Sequence, residues 1–126
     1  MKLTLLPMPF TVARTADTKD IPVDGAFVFT ARTDTELSLV CPTGLVPSRT
    51  LARQDGWRAF RFEGTLDFSL VGVLAKVSSL LAQRGISIFA VSTYQTDYVL
   101  VRQERWEETL DALRAGGYEL SPLSEE

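Results

Sequence analysis

The second half of this 126-residue sequence predicts an α+β fold of ferredoxin-like order, an antiparallel four-stranded sheet with both helices on one face. Three observations predict it. Large aromatic residues alternate with charges from Trp57 to Glu63. An apolar repeat of helical spacing runs on to Arg84 and stops at Gly85. Two β-rich runs, a second amphipathic stretch and a final short strand then follow, giving the order β-α-β-β-α-β.

Each element has its local reason. In Trp57-Arg58-Ala59-Phe60-Arg61-Phe62-Glu63 the period of two marks a strand with a buried face. Gly64-Thr65-Leu66-Asp67 reads as a turn, with Thr65 or Asp67 available to cap a helix. That helix carries Leu70, Leu74, Val77 and Leu81 on one side and Lys76, Ser79 and Gln83 on the other, and Gly85 closes it. Ile86 to Thr93 and Tyr98 to Val101 are strand-like, joined through Tyr94 to Asp97 as a hairpin. Glu104, Glu107 and Glu108 crowd the start of the second helix, where the dipole favours them. Trp106, Leu110 and Leu113 form its apolar stripe, Gly116-Gly117 ends it, and Tyr118-Glu119-Leu120 make the last strand.

The first half is rich in strands and poor in helix. Lys2 to Leu6, Phe10 to Ala13, Gly25 to Thr30 and Glu36 to Val40 read as extended pieces, the last two joined through Thr33-Asp34-Thr35. Asp17 to Asp24 is polar, contains Pro22 and reads as loop, while Pro42 to Thr50 has room for one helical turn. In order, this is a degenerate copy of the same unit with its first helix replaced by loop. It lacks the apolar helix needed to bury a sheet alone. Residues 1–56 are therefore expected to form a sub-domain sharing its core with 57–126, as one folding unit.

Composition narrows the function. Hydrophobic residues make up 45% and charged residues 23%, as in ordinary globular proteins. No apolar run approaches the roughly 18–20 residues that cross a bilayer. Met1 to Pro7 is broken by Pro7 and lacks a small-residue cleavage site, so it does not read as a signal peptide. The single cysteine, Cys41, excludes an intrachain disulfide and suits a reducing compartment; it reads as a small residue at a strand end. A cytoplasmic location follows. Thirteen basic residues are scattered among sixteen acidic ones, for a formal charge of −3, so no basic patch for nucleic acid forms. There is no histidine and no asparagine. The commonest general base and metal ligand is thus missing, and one cysteine cannot build a zinc site; no cofactor is expected.

Two segments could carry chemistry. Backbone N–H groups at the strand-to-helix turn, Phe62 to Leu70, suit a carboxylate, and Gly64 permits close approach. The hairpin Ser92-Thr93-Tyr94-Gln95-Thr96-Asp97-Tyr98 sets hydroxyls and one carboxylate between apolar strands. An acid there can receive an ammonium or guanidinium. As residues alone, the first segment reads more readily as a plain connecting loop, while the second reads equally as an ordinary turn.

Gly64 to Arg84 followed by Gly85 to Thr93 resembles an ACT domain, the regulatory unit attached to aspartate kinases and other amino-acid pathway enzymes. The pattern Ser-Thr-Tyr-x-Thr-Asp-Tyr-x-Leu-Val from Ser92 to Val101 is similar to bacterial ACT proteins of this length and to the cytosolic arginine sensors of animal cells. Phe27 to Thr30, Glu36 to Val40 and Pro42 to Pro47 match the N-terminal portion of that group. The resemblance implies a ligand site between two ACT units. Main-chain atoms of Asp67, Phe68, Ser69, Leu70 and Val71 would grip the α-carboxylate and α-amino group of a free amino acid. Asp97 would reach a basic ligand side chain, with Ile88, Phe89 and Thr93 as the neighbouring wall. Glu63 and Gly64 would come from the facing subunit of a homodimer. The arginine sensors have a glycine where this chain has Asp67, which bears on which amino acid fits.

The resemblance thus implies an amino-acid-binding regulatory protein without catalysis, whose signal a regulated enzyme or signalling partner would read. The alternative is an oligomerisation or protein-interaction module that binds no ligand. An acylphosphatase-like hydrolase on this topology would need an Arg and Asn pair, which the chain lacks. An RNA-binding version would need exposed aromatics in a basic surface, and Phe60 and Phe62 read as core.

Overall fold

Hydrogen bonding organises the described residues, 1–63 and 72–124 of a computed structural model, into eight strands and two helices. In chain order these are β1 (Lys2–Leu5), β2 (Phe10–Thr15), β3 (Phe29–Arg32), β4 (Leu37–Pro42), β5 (Ala52–Phe62), α1 (Val73–Ala82), β6 (Phe89–Ser92), β7 (Asp97–Arg102), α2 (Trp106–Ala115) and β8 (Glu119–Pro122). They fall into two compact units. One comprises Met1–Pro7 with Arg58–Glu126, the other Met8–Trp57. The long β5 serves both, its first half in one and its second half in the other.

In the first of these units the strand order is β6-β7-β5-β1-β8. This is the ferredoxin-like order with a fifth strand added. β1 lies antiparallel to β5, with Leu3 opposite Phe62, and parallel to β8, with Leu3 opposite Leu120. The boundary expected at residue 56 therefore leaves out Met1–Pro7, whose short β-forming strand fills the gap between the last and first strands of the motif. Along β5, Phe60 and Phe62 share one face and are fully buried. They meet Val77 and Leu81 of α1, Val99 and Val101 of β7, and Trp106, Leu110 and Leu113 of α2 in one apolar cluster. Arg58, on the same face, places its guanidinium 4.7 Å from the Trp106 ring.

Both helices end as the sequence predicts. Gly85 and Gly117 adopt φ of 70° and 91°, values that glycine reaches without strain. The described part of α1 ends at Ala82, two residues before the predicted Arg84. The strand expected from Ile86 begins only at Phe89. Ile86 is instead buried against the helices. The Arg105 guanidinium takes up the carbonyls of Arg84 and Gly85 at 2.9 and 3.2 Å while pairing with Glu108 at 2.7 Å, so this stretch bonds to a side chain rather than to a ladder. Gly116 sits against Leu80, where a methyl group would lie 2.5 Å from Leu80 Cδ1.

The unit Met8–Trp57 keeps the same strand plan without helices. β2 pairs with β4 and with the first half of β5, and β3 with β4, all antiparallel. Single 3₁₀ turns at Thr18–Asp20 and Thr43–Leu45 stand where the motif has helices. The degenerate-copy reading of the sequence thus has its structural counterpart. Two boundaries move. Extended structure predicted from Gly25 starts only at Phe29, because Phe27 takes φ 62° with its ring set edge-on to Phe10 at 6.5 Å. β5 starts at Ala52 rather than Trp57: its polar first half pairs with β2 through an irregularity opposite Phe10–Val12, next to Gly56 at φ 85°. There Asp55 accepts from Thr11 at 2.6 Å and from Arg53 at 2.8 Å, contacts that hold its carboxyl below the usual carboxylate range.

Phe60→Ala is expected to lower stability by about 3–5 kcal/mol, the ordinary cost of emptying a buried aromatic site, read as a fall in the denaturant midpoint at unchanged m-value. Burial pushes the Cys41 thiol up to about 11, against the smaller opposing influence of Arg53. The folded protein should therefore leave a thiol reagent unreacted at neutral pH, with one equivalent consumed on unfolding.

Candidate functional site

The turn between β6 and β7 is built by its threonines. Thr93 N–H donates to the Thr96 carbonyl at 2.9 Å, and the Thr93 hydroxyl donates to the same carbonyl at 3.0 Å. The Thr96 N–H reaches the Thr93 hydroxyl at 3.3 Å. Thr96 is buried, and its own hydroxyl donates to the Phe62 carbonyl at 2.9 Å. That bond fastens the hairpin to the end of β5, where the chain leads into residues 64–71. Beside it, Glu63 N–H donates to the Lys2 carbonyl at 3.0 Å, tying the same strand end to the start of β1.

Asp97 pairs with Ser92 in the ladder and is half-buried. By the alternation of β7 it shares a face with Val99 and Val101, the side on which the helices pack. Its carboxylate therefore belongs to the helix-facing side at the strand end from which the chain proceeds to α1. Glu63 and Thr93 are exposed at this end. Phe89 is half-buried at the other end of β6, three residues or about 10 Å from the Ser92–Asp97 pair, and the half-buried Ile88 precedes it. Glu63, Thr93 and Asp97 are thus grouped, and Ile88 and Phe89 lie further along the edge strand. Gly64, Asp67, Phe68, Ser69, Leu70 and Val71 lie outside the described residues, as does the predicted cap at Thr65 or Asp67.

The first described residue beyond that segment is Gly72, at φ 81°, whose carbonyl accepts from Lys76 N–H at 2.8 Å. Gly72, Val73 and Lys76 join Met1, Gly117 and Tyr118 around a cavity of about 210 Å³. The Lys76 ammonium stands 5.7 Å from the Tyr118 ring, and burial raises the Tyr118 phenol above its ordinary value. The sequence placed Lys76 on an outward face and gave Gly72 no role. The Gly72 spacing ahead of a helix was the available signal, masked by the stronger Gly64-Thr65-Leu66-Asp67 turn pattern.

The N-terminal hairpin repeats the other at a constant offset of sixty residues. Phe29 faces Val40 and Arg32 faces Leu37, as Phe89 faces Leu100 and Ser92 faces Asp97. Thr33 closes its turn onto Glu36 at 2.9 Å, as Thr93 closes onto Thr96. Leu37 therefore stands where the other hairpin has its acid.

A sequence profile of the ACT domain matches residues 52–115. The chain belongs to the ACT domain family, whose domains are regulatory rather than catalytic. Protein Atu0741 from Agobacterium tumefaciens is similar over 99% of this chain and 95% of its own, at 36% identity and a TM-score of 0.84. A Vibrio cholerae protein described as a possible transport protein, VC0802, is 20% identical over 90% and 88% of the two chains, with a TM-score of 0.69. The ligand-free regulatory subunit of aspartate kinase from Thermus thermophilus shares the fold at 11% identity, 91% and 96% coverage and a TM-score of 0.64. Among curated protein sequences none matches the chain. No helix among the described residues is long and apolar enough to cross a membrane.

Thr96→Val removes the donor to Phe62 while keeping the shape of the side chain. It should cost about 1–3 kcal/mol, since a buried carbonyl loses its partner, whereas Thr96→Ser should keep most of the stability. Thermal or urea denaturation of the two variants gives the comparison.

Proposed function

We propose that this chain is a non-catalytic, cytoplasmic regulatory protein that binds a free amino acid where ACT units of a homodimer meet. The observation that carries this is the Thr96–Phe62 bond, which holds the acid-bearing hairpin against the strand that leads into residues 64–71. On this reading main-chain groups of Asp67, Phe68, Ser69, Leu70 and Val71 bind the α-carboxylate and α-amino group. Asp97 receives a cationic ligand side chain, in the partly water-excluded setting where a charge-assisted bond is strongest. Glu63 and Gly64 of the facing subunit close the site.

Support for the dimer comes from β6. Its described hydrogen-bond partner is β7, and Ala90 and Ser92 are exposed, so it offers an edge for a second chain. Ile88 and Phe89 lie along that edge, which is where a wall shared between subunits belongs. A ligand at such a seam favours one dimer geometry by its difference in affinity for two, and that difference is the signal a regulated enzyme or signalling partner would read. The same edge also suits a module that oligomerises without a ligand. Seam substitutions would then break the dimer while Asp97→Asn changes nothing.

Calorimetry or thermal shift against the twenty amino acids separates the two. Binding of a basic amino acid is expected, with Asp97→Asn weakening it by about tenfold or more, the loss of one charge-assisted contact. The absence of any response at millimolar concentration, with no small molecule released on denaturing the purified protein, would end the proposal.

A further inference from the structure

The cavity of about 210 Å³ between the start of α1 and the end of α2 is smaller than drug-sized ligand sites, which begin at roughly 300 Å³, and has room for a small ion or one charged group. Its place in the fold sets it apart from the hairpin that carries Asp97. β7, β5, β1 and β8 are neighbours in that order, and Met1 and Tyr118, which line the cavity, stand at the head of β1 and of β8. Three strand spacings, about 14 Å, therefore lie between β8 and β7. Among the described residues of the lining, Lys76 is the one charged side chain, so the wall is cationic.

Lys76 stands where a helix does not favour a cation. It is the fourth residue of α1, close to the end at which unpaired N–H groups carry partial positive charge. That end has no side-chain cap at Gly72 and no acid in its first turn. α2 shows the ordinary arrangement, with Glu107 and Glu108 at its start and Arg114 at its end. Lys76 also makes no ion pair among the described residues, whereas Arg49, Arg53, Arg102, Arg105 and Arg114 each pair with a carboxylate. The far wall does not offset this charge. At the end of α2 the carbonyls of Ala112, Leu113 and Arg114 are taken up by the N–H groups of Gly116, Tyr118 and Gly117 at 3.0, 3.1 and 3.0 Å. Tyr118 is the second observation. It is 9% exposed and packed in the apolar core, yet its hydroxyl makes no hydrogen bond among the described residues. The polar end of a buried tyrosine ordinarily has a partner. With the Lys76 ammonium 5.7 Å from the Tyr118 ring, an unpaired cation and an unbonded hydroxyl border the same cavity.

We propose that this cavity binds a small oxyanion, a phosphate or a carboxylate group. Lys76 supplies the opposite charge, the first turn of α1 supplies directed N–H donors, and Tyr118 supplies a neutral hydrogen bond. The anion stands in for the acid that α1 lacks at its start. The site makes no use of Asp97 and does not depend on the amino-acid site proposed for the β6–β7 hairpin.

The test is calorimetric titration of the full chain with inorganic phosphate and, separately, with acetate, at an ionic strength held constant with sodium chloride. Saturable binding of at least one of them is expected below about 10 mM, and the one that binds more tightly identifies the group. Lys76→Gln should weaken it by about tenfold or more, the loss of one charge-assisted contact. The melting temperature of the free protein should not fall, as Lys76 is exposed. Tyr118→Phe keeps the ring and should weaken binding by about three- to tenfold, the worth of one neutral hydrogen bond. Asp97→Asn should leave it intact, whatever becomes of basic amino acid binding. No saturable binding of either anion by about 10 mM, or binding unchanged in Lys76→Gln, would overturn the assignment. So would its loss in Asp97→Asn, which would put the anion at the hairpin.

Discussion

One strand is used twice in this chain, and most of the structure follows from that constraint. β5 gives its polar first half to the ladder with β2 and its aromatic second half to the core under α1 and α2. The change of partner coincides with Gly56 and the irregularity opposite β2, where a positive φ lets the backbone shift register. Below that point Phe60 and Phe62 fix which face is inside. Because side chains alternate along a strand, a slip of one residue would turn both phenylalanines toward the wrong side and bring Arg61 into the core. The end of β5 is in turn the anchor for the β6–β7 hairpin, so the position of Asp97 depends on the same register.

The two units show what the motif needs and what it can lose. Hairpins sixty residues apart keep the same pairing and the same threonine closure, yet one is followed by a helix and the other by a single 3₁₀ turn. The strands carry the topology, and the helices carry the apolar cover. Where the cover is absent, the chain after β2 becomes a loop in which Phe27 packs on Phe10 and Gly25 lies against the Leu45 side chain. A bulky residue at positive φ persists because its ring contact holds it there.

This division also explains what could be read from the sequence. The fold of the second half was legible because its signals are strong and local: alternating aromatics in β5, helical spacing through Val77 and Leu81, and a glycine after each helix. The short 3₁₀ turn after Pro42 and the loop after Asp17 were legible from proline and polar residues. The place of β1 was not, since pairing between Leu3, Phe62 and Leu120 is set by contacts distant in sequence. Nor was the late start of β6, which depends on the Arg105 guanidinium, a side chain 20 and 21 residues beyond the two carbonyls it holds. At the candidate site, the nearness of Thr93 to Asp97 follows from the hairpin motif, whereas that of Glu63 depends on the Thr96–Phe62 bond between segments distant in sequence. The place of Gly72 beside Met1 and Tyr118 needed the three-dimensional arrangement, because it brings together the two ends of the chain's sequence order.

Arg105 has a wider consequence. Its flat, five-donor head spans two adjacent carbonyls and a carboxylate at once, a task a lysine cannot take over with a single rotating ammonium. The two helices are therefore coupled by the same residue that delays the start of β6. As related chains drift, this position should tolerate less exchange than the better-buried leucines around it, for which other aliphatic side chains of similar volume are adequate substitutes.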